Sequence, residues 1–228
     1  MSNFDKVASL TSDTPLSGAS PIVVNKVLKN TYILLSFCLG FSALMAYVGM
    51  AMGVGQTPAM VVSVVSILLA MFVLPSFANS VGGLPILFVI TGGLGLGLAP
   101  LLGAYFGAGA GDIVMTAFTG TAGIFLGLSF YALTSKKDFS FLATFVLAGM
   151  IGVLVLAIIN IFAGIPLLSL ALSFAVVLLM TASILMQTSD ITKGYQTNYI
   201  LATMGMFISI FNLFTSLLHI LGAMSGDD

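Results

Sequence analysis

The chain has 228 residues, of which 59% are hydrophobic and only 6% charged, with a formal net charge of -1 and a mean hydropathy of +1.21. Soluble domains carry about 25% charged residues, so this chain cannot coat a water-soluble globule, and the solvent it suits is a lipid bilayer. All cations are lysines and all anions are aspartates, which leaves no basic face for nucleic acid.

The first 29 residues are mostly polar and rich in Ser, Thr and Pro. They read as an N-terminal tail without a signal-peptide cleavage pattern, so the first apolar run is expected to stay as a helix. A helix needs about 20 apolar residues to cross the hydrocarbon core. Seven such segments follow, over roughly 30–53, 58–78, 84–105, 113–133, 139–162, 166–188 and 198–222. Every backbone polar group must be satisfied inside lipid, so an all-α bundle of seven transmembrane helices is expected. The expected organisation is a tail over 1–29, a membrane domain over 30–222 and a short external tail over 223–228.

In the first segment, Cys38 is the single cysteine, read as a small apolar residue of the helix. Pro58 and Pro166 fall at first turns, where a missing N–H costs nothing. In the third segment Pro100 is expected to kink the helix. That segment reads "TGGLGLGLAPLLGAYFGAGAGD". It lacks the spacing of a nucleotide loop. Gly93/Gly97 and Gly103/Gly107 stand four residues apart and suit close helix approach, with a broken helix lining a pathway as the alternative.

Orientation follows from the lysines. Lys6, Lys26 and Lys29 precede the first helix, Lys136 and Lys137 join the fourth to the fifth, and Lys193 joins the sixth to the seventh. A cytoplasmic N-terminus puts all of them in the cytoplasm and the C-terminus outside, with Asp112, Asp227 and Asp228.

The sixth segment ends in "LMQTSDITKG" with one carboxylate, Asp190, three residues before Lys193. It reads as a solvated edge acid, with a proton or cation role as the alternative. On the seventh segment, Gly205, Ser209, Asn212, Ser216 and His219 fall within about 80° of one another at 100° per residue. A polar stripe at lipid depth should face protein or water, so this helix is expected at the centre of the bundle. Interhelical hydrogen bonding and a polar pathway are the two readings of the stripe.

The chain holds one histidine, no glutamate and no arginine. A zinc site needs several His, Cys or carboxylates in reach, and none is expected. Ser216 and His219 lie three apart on one helix without a loop to present a nucleophile. No catalytic residue, cofactor or metal is expected.

Several stretches, "KVLKNTYILLSFCLGFSA", "GLAPLLGAYFGAGAGDIVMTAFTGTAGIF", "LTSKKDFSFL", "NIF" and "TNYILATMGMFISIFNLFTSLLHILG", resemble the bacterial branch of the Bax inhibitor family. The resemblance runs from about residue 26 to 222 and implies an inner-membrane protein whose last helix is surrounded by the other six. It also implies two functions. One is modulation of the membrane-anchored ATP-dependent protease FtsH, alone or with its membrane-associated regulators, for which the polar composition of the tail over 1–29 offers a handle. The other is a pH-sensitive calcium leak channel. The channel's paired acids correspond here to Gln187, in Met186-Gln187-Thr188, and Ser209, in Ile208-Ser209. Neither residue titrates, so the shared proton of a dicarboxylate has no counterpart at these two positions.

Overall fold

The computed structural model describes residues 20–135 and 137–226. The expected seven helices are there: α1 Pro21–Ala51, α2 Gln56–Phe77, α3 Gly83–Gly107, α4 Gly111–Thr134, α5 Leu142–Ala163, α6 Pro166–Thr192 and α7 Tyr199–Ser225. Each is long and apolar enough to cross a membrane, and no strand occurs among the described residues. Connections are short, so neighbours in sequence run antiparallel.

Two boundaries differ from the sequence reading. Helix α1 starts at Pro21, which supplies a preset φ at the first helical position, so residues 21–29 of the expected tail are helical. At 1.5 Å per residue its 31 residues span about 46 Å, against about 30 Å of hydrocarbon. The turns carrying Lys26 and Lys29 therefore have room to project into water. Helix α6 runs to Thr192 and so takes in Asp190. The last turn is held by Ser189, whose Oγ accepts the Phe139 N–H at 3.1 Å, and by the buried Ile191.

Prolines shape two helices. Helix α3 is interrupted at Leu98, between Gly83–Gly97 and Ala99–Gly107, because Pro100 cannot donate and its ring crowds the preceding turn. Helix α2 carries a π-helical turn over Leu69–Val73 just before Pro75. The Pro75 ring crowds the carbonyl four residues earlier, and a wider turn relieves that contact.

The glycines of α3 divide into two kinds. A Cβ at Gly93 or Gly97 would run into the Oγ of Ser66 or Ser63 on α2, so this pair lets the two helices touch. A Cβ at Gly103 would meet nothing closer than Met50 Cγ at 3.9 Å, and one at Gly107 nothing within 4 Å, so the second pair does not serve close packing.

Helix α7 lies at the centre, against α1, α3, α4 and α6. Its buried side chains include Met206, Phe207, Leu213 and Leu218. The first three join Leu35 and Cys38 of α1, Leu87 and Ile90 of α3, and Ile184 of α6 in one apolar cluster, and Leu218 joins Ala46, Leu102, Val114 and Ala117 in a second. The two outer helices are α2, packed on α3, and α5, packed on α6. The ring expected around the last helix is therefore made mainly by four of the six.

Asn198 sets where α7 begins. Its Oδ1 accepts the N–H groups of Ile200 and Leu201 at 2.9 and 3.1 Å, which caps the helix. Its Nδ2 donates to the Ala78 carbonyl at 3.1 Å and to Asn79 Oδ1 at 2.7 Å. One side chain thus starts the central helix and ties it to the end of α2.

Candidate functional site

The polar stripe of α7 does not act as one line. At its middle, Ser209 meets Ser183 and Gln187, which stand one turn apart on α6. Gln187 Nε2 donates to Ser183 Oγ at 2.6 Å and to Ser209 Oγ at 3.0 Å, and the two serine hydroxyls lie 3.1 Å apart. Gln187 and Ser209 therefore touch each other. Gln187 Oε1 is buried with no hydrogen-bond partner among the described residues and faces Gly205, where an added Cβ would lie 3.2 Å from it. Gly205 leaves room for the amide.

The remaining stripe residues go elsewhere. Asn212 turns back on its own helix and donates to the Ile208 carbonyl at 2.9 Å. Ser216 is buried. His219 is exposed at the far end, with Nδ1 2.8 Å from Ser173 Oγ. Periodicity placed these residues on one face of α7, but the neighbours of that face change along its length.

Asp190 is half-buried in the last turn of α6, where the sequence suggested a solvated acid. Its Oδ1 lies 3.0 Å from Ser140 Oγ. The same hydroxyl lies 2.7 Å from Asp138 Oδ1, so two carboxylates face a single hydroxyl proton. The Asp190 carbonyl also accepts the N–H groups of Tyr195 and Gln196 at 2.8 and 3.0 Å. Asp138 is held twice more, by the Ser140 N–H at 2.9 Å and by the Tyr195 hydroxyl at 3.0 Å. These contacts latch the α4–α5 loop to the α6–α7 loop.

The latch polarises its members. The Ser140 hydroxyl and N–H hold the Asp138 carboxyl below the ordinary carboxylate range, desolvation opposes them, and the Tyr195 hydroxyl and the charge of Lys193 add smaller lowering effects. Tyr195 is raised above the usual phenol value, first because its hydroxyl donates to Asp138 and then because the charge of that carboxylate disfavours a phenolate. Lys193, expected beside Asp190, thus acts electrostatically on Asp138. The sequence did carry a local signal for part of the latch, since Asp-x-Ser at 138–140 is an Asx-turn pattern. It carried none for the contact with Asp190, fifty positions away.

A cavity of about 250 Å³ connects the two polar groups. It runs between α6 and α7, from Asp190 and Gln196 to Gln187 and Gly205. The chain of groups is Asp138, Ser140 and Asp190 at the lysine-bearing end, then the cavity, then Gln187, Ser183 and Ser209 at depth. Only the outer members titrate. Among the described residues, no three His, Cys, Asp or Glu side chains gather as metal ligands.

The fold and these contacts define a seven-span α-helical membrane protein with a polar α6–α7 seam that reaches its surface at one end. The family described as Inhibitor of apoptosis-promoting Bax1 matches residues 24–226, and the chain belongs to this Bax inhibitor family. An uncharacterised membrane protein of Vibrio cholerae is 48% identical over 205 residues, 90% of this chain and 92% of that one. The Escherichia coli K12 protein named modulator of FtsH protease YccA is 40% identical over 224 residues, 98% of this chain and 100% of its own. The protein of Escherichia coli O6:H1 named inner membrane protein YccA matches to the same extent.

Proposed function

We propose that this protein is an inner-membrane regulator that binds and modulates the membrane-anchored ATP-dependent protease FtsH. The observation that carries the reading is the similarity, from end to end, to the Escherichia coli protein named for that role. In this reading the chain acts as a binding regulator and not as an enzyme. Its N-terminus lies in the cytoplasm, as the lysine distribution favours, and its C-terminus lies on the periplasmic side.

The mechanism is a contest between pulling and packing. Residues 1–19 lie outside the described structure, and their composition suits a polar handle. An ATP-driven protease on the cytoplasmic face grips that handle and pulls. The bundle resists, because extracting α1 uncovers Leu35 and Cys38 from the core that surrounds α7. A protein that engages the protease and yields slowly occupies it and slows the turnover of other substrates.

Co-purification from native membranes tests the partnership, and pulse-chase tests the handle. Deleting residues 2–20 is expected to leave the bundle folded and to lengthen the protein's lifetime. Slowing of a second FtsH substrate is expected to persist, because the helices offer more contact area than the tail. Identical half-lives for full-length and truncated chains would remove the handle, and failure to co-purify would remove the partnership.

A further inference from the structure

At the end of the bundle opposite the lysines, α5, α6 and α7 do not close on one another. They leave a cleft of about 920 Å³, near the upper end of the roughly 300–1,000 Å³ range of small-molecule sites. Its walls are apolar and include Ala157 and Ile161 of α5, Leu167 and Leu170 of α6, and Ala223 of α7.

A polar chain crosses this cleft through three helices. Asn160 Nδ2 donates to Ser169 Oγ at 2.6 Å, and Ser173 Oγ donates to the Ser169 carbonyl at 3.1 Å. Ser173 Oγ also lies 2.8 Å from His219 Nδ1. Asn160 Oδ1 is occupied by the Ile165 N–H at 3.1 Å. Two donors remain without a partner among the described residues: the second Asn160 amide hydrogen and the Ser169 hydroxyl proton.

We propose that this cleft binds one glycerophospholipid, an acyl chain lying along its apolar walls and the ester and phosphate oxygens resting on Asn160 and Ser169. Depth supports the assignment. Asn160 is in the last turn of α5 and Ser169 in the first turn of α6, which is where a span passes from hydrocarbon to headgroup. The balance of donors supports it too. The spare set is two donors, and phospholipid ester and phosphate oxygens are acceptors only. A polypeptide would bring N–H donors of its own and find few acceptors here. The inference does not depend on any interaction with FtsH.

The test uses the full-length protein in vesicles of phosphatidylethanolamine and phosphatidylglycerol. A trace of phosphatidylglycerol carries a photoactivatable diazirine in mid-chain, and adducts are mapped by peptide mass spectrometry. Adducts should concentrate on 153–173 and 219–223 rather than on the outward face of α2, which is also exposed. Unlabelled phosphatidylglycerol should compete strongly, and diacylglycerol with the same chains weakly. Ser169→Ala removes one spare donor and should weaken competition about tenfold, the equivalent of one hydrogen bond. Adducts spread in proportion to exposed surface would overturn the proposal. So would equal competition by diacylglycerol.

Discussion

Helices α5 and α7 invert the rule that holds in water. The most apolar window of α5 has a hydropathy of 2.8 and is 0% buried, whereas that of α7 has 1.8 and is 56% buried. In lipid the solvent is as apolar as leucine, so hydrophobicity does not sort helices into a core. Polar groups do, because each must find a partner away from acyl chains. Serine, threonine and asparagine on α7 are therefore signs of the interior, and the largely apolar surface of α5 is a sign of the exterior.

The comparison is tested most severely by equal truncations in the two helices. Leu213 on α7 is fully buried and Leu154 on α5 is 61% exposed. Leu213→Ala is expected to destabilise the bundle by about 2–5 kcal/mol, the cost of an unfilled core position. Leu154→Ala is expected to fall within about 0.5 kcal/mol of the parent, as surface changes do. Unfolding in detergent micelles measures both, and equal losses would erase the distinction.

A polar change on α7 sharpens the point. Ser209→Ala leaves the Gln187 amide with Ser183 alone and is expected to cost about 0.6–2 kcal/mol. Changing a serine of no interior contact, such as Ser225, which bonds only its own helix at 2.9 Å, should cost less. Finding the two equal would mean that the α6–α7 contact contributes little to stability.

The smallest effect belongs to the latch. Asp138 is held below its ordinary value, so its contribution is complete above about pH 4, the unfolded carboxylate value, and is lost as pH falls through the lower folded value. Tyr195 is held above its ordinary value. Its contribution is complete below about pH 10, the unfolded phenol value, and is lost as pH rises through the folded value. Amide hydrogen exchange of residues 137–141 should therefore be slow and flat across neutral pH, after correction for intrinsic rates. It should quicken in strong acid while α7 stays protected. Asp138→Asn should remove the acid limb, and an unchanged profile would show that the latch does not depend on that carboxylate.

Much of the architecture was legible because length and apolarity alone define a span. Ser209 was also legible as an inward residue, since helical periodicity gives its azimuth. Its partner Ser183 was not, because periodicity within one helix says nothing about which residue of another helix meets it. The start of α1 was missed because Asn25, Lys26 and Lys29 look like tail, yet a helix with Pro21 at its first position continues freely through the interface into water. Asp190 was misjudged for a related reason. The apolar run ends before it, but the α4–α5 loop folds over that turn and replaces water with Ser140.

The placement of α7 also bears on how the protein is made. The helix that fills the centre is the seventh to leave the ribosome. Six spans are delivered to the membrane before it, at about 5–20 residues per second, and Leu35, Leu87 and Ile184 must wait for the side chains they finally touch. During that interval the bundle has a vacant axis. Final packing is therefore a late event in synthesis, and a chain halted after Thr192 would hold six spans, with α2 on α3 and α5 on α6, but lack the helix that joins them.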